Sequence, residues 1–154
     1  MSFRPQPTGQ PLGLALLLVL CSWLFAWPHA RAVSPATQSL SEPLTQQPGD
    51  IERGRAIVAN RQQGLCVLCH QAPVPDERFH GNMAPDLRGV GARLNAAQLR
   101  LRMVDSRQIN PESFMPAYFR TDHLQRVAPA FQGKTLLSAQ DIEDVVAYLL
   151  SLKD

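Results

Sequence analysis

Two thiols, Cys66 and Cys69, stand three positions apart, and an imidazole, His70, follows the second at once. This C-x-x-C-H spacing suits covalent attachment of a c-type haem. Both thiols must reach the two vinyl groups along one porphyrin edge while the next residue turns a ring nitrogen onto the iron. One turn of helix holds all three groups. A closed zinc site needs four ligands, and no second C-x-x-C or paired-histidine motif follows. A dithiol redox motif belongs beside a βαβ pattern, whereas the flanks here read as helix and loop with hardly any alternating strand signal. The residues therefore predict haem c, one per chain and covalently held, with His70 on the iron.

A single imidazole leaves the iron's sixth position open, and its occupant decides between electron transfer and ligand binding. Met83, Met103, Met115, His80 and His123 are the candidates. Met115 is the expected ligand, because Asn110-Pro111-Glu112-Ser113-Phe114-Met115-Pro116 is a proline-stiffened loop able to wrap the opposite haem face. Met83 is the competing methionine, close after His70. Met103 reads as core, and His123, beside Arg120 and Asp122, reads as surface. A His/Met pair would leave no free position for substrate. The remaining N–H of His70 needs an acceptor that fixes its ring. The backbone carbonyl of Pro85, within Ala84-Pro85-Asp86-Leu87, is a candidate for that role.

The elements that must carry these groups read as helices. Asp50 can cap a helix with Glu52 in its first turn and Ile51, Gly54 and Val58 along one face. Gly54 costs helix stability, so it suggests close approach by another element. Asn95 is a cap for a helix through about Val104, with Leu99 and Met103 on its inner side. Ser138 and Asp141 form a capping box opening a helix through Leu152, whose apolar face is Ile142, Val145, Val146, Leu149 and Leu152. The expected fold is all-α, with three to five helices around one haem, few or no strands, and the terminal helix packed on the first at Gly54.

The start of the chain reads as an export signal: Arg4, an apolar run from Leu12 to Trp27, then Ala30-Arg31-Ala32 at a cleavage point. Residues 1–32 are expected to be a cleaved secretory signal, 33–49 a flexible leader rich in Pro, Ser and Gln, and 50–154 one mono-haem domain. Bacterial c-type haem is attached outside the cytoplasm, so export to the periplasm agrees with the motif. Cys21 leaves with the signal, and the two remaining cysteines are consumed by haem, so no disulfide is expected. Removing Arg4 and Arg31 leaves 13 basic residues against 13 acidic ones. Net charge therefore supports neither a nucleic-acid nor an anionic-membrane partner. Arg88, Arg93, Arg100, Arg102 and Arg107 crowd one stretch; they read as a solvated face, with docking of an anionic substrate or acidic partner as the alternative.

The assembled pattern over residues 50–154 resembles class I cytochromes c. More narrowly it resembles the SoxX family of sulfur-oxidising bacteria. That likeness rests on Gly81-Asn82, Ala84-Pro85-Asp86-Leu87, Gly89-Val90-Gly91-Ala92-Arg93, Asn110-Pro111, Met115-Pro116-Ala117-Tyr118 and the run from Gln140 to Leu149. The resemblance implies a periplasmic mono-haem subunit paired with a SoxA-like haem protein. Such a pair couples thiosulfate oxidatively to a cysteine of a carrier protein, as an L-cysteine S-thiosulfotransferase. In it, Cys66 and Cys69 attach the haem, His70 and Met115 ligate the iron, and the bond-forming chemistry belongs to the partner. Electrons then pass to a downstream cytochrome. The other reading is a free-standing periplasmic shuttle to an oxidase or reductase.

Overall fold

The computed structural model describes residues 39–154, so the expected signal segment and residues 33–38 of the leader lie outside the described residues. Four α-helices, α1 (Ile51–Ala59), α2 (Val90–Arg93), α3 (Ala96–Asp105) and α4 (Ala139–Ser151), are joined by loops and three short 3-10 turns. No strand occurs among the described residues, and no helix among them is long and apolar enough to cross a membrane.

The helix starts follow local chemistry. Asp50 accepts from Arg53 N–H at the head of α1. Asn95 and Gln98 bond each other's backbone N–H groups at the head of α3, and Ser138 and Asp141 do the same at α4. Each pair satisfies donors that a helix start leaves unpaired. On α4 the expected face is inside: Ile142, Val145, Val146 and Leu149 are buried, and Leu152 is half-buried.

α4 is the axis of the domain: α1 packs on it most extensively, with α3 and α2 beside it. Gly54 sets the α1–α4 crossing. A Cβ at that position would run into the Asp144 carbonyl and the Tyr148 side chain, so only glycine lets the two backbones approach this closely. Ile57 and Val58 fill the rest of the contact. Ile51, expected on the same face, is 46% exposed. The first turn of α1 instead meets α4 through polar groups: Asp144, buried, accepts from Asp50 N–H at 2.8 Å and from Arg53 Nε at 2.7 Å.

The segment expected as a flexible leader is tied down over its described part, residues 39–49. Leu44 N–H donates to Glu143 Oε1 at 2.9 Å, Thr45 Oγ1 to Gln140 Oε1 at 2.9 Å, and Leu40 N–H to Ala97 O at 2.9 Å. Arg100 holds Glu143 with two hydrogen bonds, of 2.7 and 2.9 Å, and reaches Leu40 O at 2.8 Å. Its composition lacks apolar periodicity, but buried side chains of α3 and α4 satisfy its backbone. The basic run is likewise not one solvated face. Arg100 is buried in an ion pair, whereas Arg88 pairs with Asp86 and Arg107 with Asp105.

Candidate haem-binding site

After α1 the chain turns at Leu65, which holds a left-handed φ of 60°, and enters a 3-10 turn over Cys66–Leu68. Cys69 N–H and His70 N–H both donate to Cys66 O, at 3.1 and 2.9 Å. This turn sets Cys66, Cys69 and His70 on the wall of one cavity of ≈ 780 Å³. Cys66 is buried, with its Sγ 3.2 Å from Gly64 O, and burial pushes its thiol up to about 11. Tyr118 donates to the same carbonyl at 2.6 Å, and burial raises its phenol as well. Before haem is attached, both groups therefore keep their protons at neutral pH.

His70 Nδ1 lies 2.6 Å from Pro85 O. A carbonyl only accepts, so Nδ1 carries a proton, and in the neutral ring the lone pair is then on Nε2. Pro85 has no N–H to satisfy in turn. Met115 also lines the cavity, in a loop tied to the end of α3: Ser106 Oγ meets Ser113 Oγ at 2.8 Å and donates to Met115 O at 3.3 Å. Val58, Val90, Leu99, Met103, Val145 and Leu149 supply buried apolar wall from all four helices.

The other ligand candidates sort by position. Met83 lines the cavity with its side chain 67% exposed, and Met103 lines it from the core at 3% exposure. His80 and His123 do not line it. His80 Nδ1 accepts from Ala72 N–H at 3.3 Å, and His123 is exposed beside Asp122 at 3.4 Å. Among the described residues no group of three or more His, Cys, Asp or Glu could hold a metal ion.

Sequence reasoning missed two cavity residues, Arg93 and Arg102. Arg93 Nη1 and Nη2 donate to the carbonyls of Arg88 and Asp86. Arg102 Nη1 donates to Gln98 O at 2.9 Å, burial lowers its pKa, and no described carboxylate pairs with it. The signal was present in the sequence. Leu99, Arg102, Met103 and Ser106 recur at the spacing of one helix face, so a charge sits in an otherwise inward stripe. An unpaired cation in an apolar wall calls for an anion.

These residues fit a haem. They offer two thiols, an imidazole, a thioether, an apolar enclosure and two cations for carboxylates. An all-helical domain built around such an enclosure defines the class of c-type cytochromes. The chain belongs to the cytochrome c family, whose model matches residues 51–153, and that membership implies covalently bound haem c. It is more narrowly a SoxX-like class I cytochrome. A chain in the crystal structure of SoxXA from P. pantotrophus is 38% identical, with a TM-score of 0.70, covering 76% of this chain and 91% of that one. No curated protein matches.

Proposed function

We propose that this chain is the periplasmic electron-transfer subunit of a SoxAX-type sulfur-oxidising complex. It carries one haem, takes electrons from a SoxA-like haem partner with which it forms a heterodimer, and passes them to a downstream cytochrome. The carrier protein bearing the thiosulfate-accepting cysteine is reached through the partner. The observation that carries the haem site is the convergence of Cys66, Cys69, His70 and Met115 on one apolar cavity. The likeness to a chain of SoxXA supports the partner.

Bound haem supplies a one-electron iron couple. Cys66 and Cys69 would hold its edge, His70 Nε2 and the Met115 sulfur would ligate the iron, and the Pro85 carbonyl would orient the His70 ring. Arg93 and Arg102 supply positive charge for the haem carboxylates. With a ring nitrogen and a thioether both given to the iron, such a site would move charge and leave no position for substrate. On this reading the bond-forming chemistry belongs to the partner.

Two measurements test this reading. Met115→Ala is expected to abolish the weak near-infrared sulfur-to-iron band of the oxidised protein; persistence of the band would move the ligand role to another methionine. Native periplasm is expected to yield this chain with a second haem protein stably attached. Recovery as a lone monomer at both low and high salt would sink the subunit role and leave the free-standing shuttle.

A further inference from the structure

Met115 sits in a loop that leaves the end of α3 at Ser106 and returns to that helix at Tyr118. Its backbone meets the hydroxyls of Ser106 and Ser113 on the way. Met115 N–H donates to Ser113 Oγ at 3.3 Å, Ser113 Oγ lies 2.8 Å from Ser106 Oγ, and Ser106 Oγ lies 3.3 Å from Met115 O. The protons in this set have a single arrangement. A carbonyl only accepts, so the Ser106 proton goes to Met115 O, and Ser113 must then donate to Ser106. An amide only donates, so Ser113 accepts from Met115. Each hydroxyl gives once and takes once, and the bonds close into a ring that uses both backbone groups of Met115.

Ser106, which anchors the ring, is buried and lines the haem cavity. Its carbonyl accepts from Asn110 N–H at 3.0 Å, and Ser113 N–H donates to Asn110 O at 2.9 Å, so the loop folds back onto its own start. Fully buried Asp105 pairs with Arg107 before Met115 and with Arg120 after it. Beyond Met115, Tyr118 N–H donates to Met103 O at 3.1 Å and its hydroxyl donates to Gly64 O at 2.6 Å. None of these fastenings uses a serine hydroxyl, so they hold the ends of the loop with or without the ring. The ring alone fixes the backbone at Met115. A methionine side chain is unbranched and flexible, and a sulfur that must stay on a metal loses less freedom when its backbone is already held. Hydrogen bonds in a closed ring also polarise one another, so opening one weakens the rest.

We propose that Ser106 and Ser113 are positioning residues for Met115, and that their hydroxyl ring sets how long the thioether stays on the iron. The proposal rests on Met115 as the sixth ligand. Failure of that premise has its own signature: Met115→Ala would keep both the near-infrared band and the parent protein's response to cyanide.

The test uses the oxidised, haem-loaded protein with potassium cyanide as probe. Cyanide takes the place of the Met115 sulfur with no change in oxidation state, so at saturating cyanide the stopped-flow rate reads the departure of the thioether. Ser106→Ala and Ser113→Ala are each expected to keep covalent haem and the near-infrared band at neutral pH. Each should raise the limiting rate about tenfold, the worth of one buried hydrogen bond. Because either change opens the same ring, the double variant should be no more than about twofold faster than the faster single one. Ser113→Thr, which keeps a hydroxyl, should stay near the parent rate. If the buried Ser106→Ala fails to mature, the contrast between Ala and Thr at half-buried position 113 still decides. Ser138→Ala, which removes the α4 cap, should lower the denaturation midpoint and leave the limiting rate unchanged. Rates unchanged in the serine-to-alanine variants would overturn the proposal. So would effects that multiply in the double variant, a Ser113→Thr rate matching that of Ser113→Ala, or an equal acceleration in Ser138→Ala, which would mark general loosening of the domain.

Discussion

Arg102 shows how much one side chain depends on the haem. Among the described residues its hydrogen bond is to Gln98 O, and burial already weakens its hold on the proton. A haem carboxylate beside it would restore the missing countercharge, and the cation would in turn stabilise the reduced iron. A unit charge about 10 Å away, at an effective dielectric of about 20, is worth roughly 1.7 kcal/mol, or about 70 mV for one electron. Arg102→Leu is therefore expected to keep covalent haem and the near-infrared band while lowering the reduction potential by some tens of millivolts. Arg102→Lys should recover part of the fall. An unchanged potential in spectroelectrochemical titration of Arg102→Leu would remove the residue from the site. The Cys66-x-x-Cys69-His70 motif was legible because its whole logic is local spacing. Arg102 was overlooked because it was counted with a basic run, although its helical register with Leu99 and Met103 placed it inside.

At the scale of elements, α4 concentrates the tertiary polar contacts in two adjacent buried carboxylates. Burial pushes the pKa values of Glu143 and Asp144 upward, but Arg100 and Leu44 N–H outweigh it at Glu143, and Arg53, Asp50 N–H and Gln140 at Asp144. Both carboxyls end below the ordinary carboxylate range. A carboxyl with a lower pKa folded than unfolded adds stability that is fully present above its unfolded value, about 4, and is lost as pH falls through the folded value. Denaturant midpoints are therefore expected to fall steeply below about pH 4, and Asp144→Asn should be less stable at neutral pH with a flatter acid limb. Gly54→Ala tests the same crossing sterically and should destabilise by about 2 kcal/mol or more. A chemical-denaturation midpoint unchanged by that methyl group would contradict the packing. Helix starts at Asp50, Asn95 and Ser138 could be read in advance because caps are written within four residues. The Arg100–Glu143 pair and the fastening of residues 39–49 could not, since their partners lie far along the chain and only folding brings them together.

The whole molecule is organised around a space its own side chains do not fill. Val58, Val90, Leu99, Met103, Val145 and Leu149 belong both to the hydrophobic core and to the cavity wall. A cavity of ≈ 780 Å³ walled by core side chains leaves those side chains short of apolar contacts, and that costs stability. Water entering through an open mouth lessens that cost, but it leaves the apolar wall hydrated and returns none of the contacts haem would make. The chain should therefore not hold this fold without its cofactor, since whatever binds only the folded state stabilises it by mass action. Cys66→Ser/Cys69→Ser, which removes both attachment points, is expected to give a chain with reduced far-ultraviolet helical signal and no cooperative thermal transition. Free haem added to it should restore helix through His70 and Met115 alone, and His70→Ala in the same background should abolish that recovery. A cooperative melt of the haem-free double variant would mean that the α1–α4 crossing and its polar fastening suffice for the fold, with the cavity collapsing around its apolar wall.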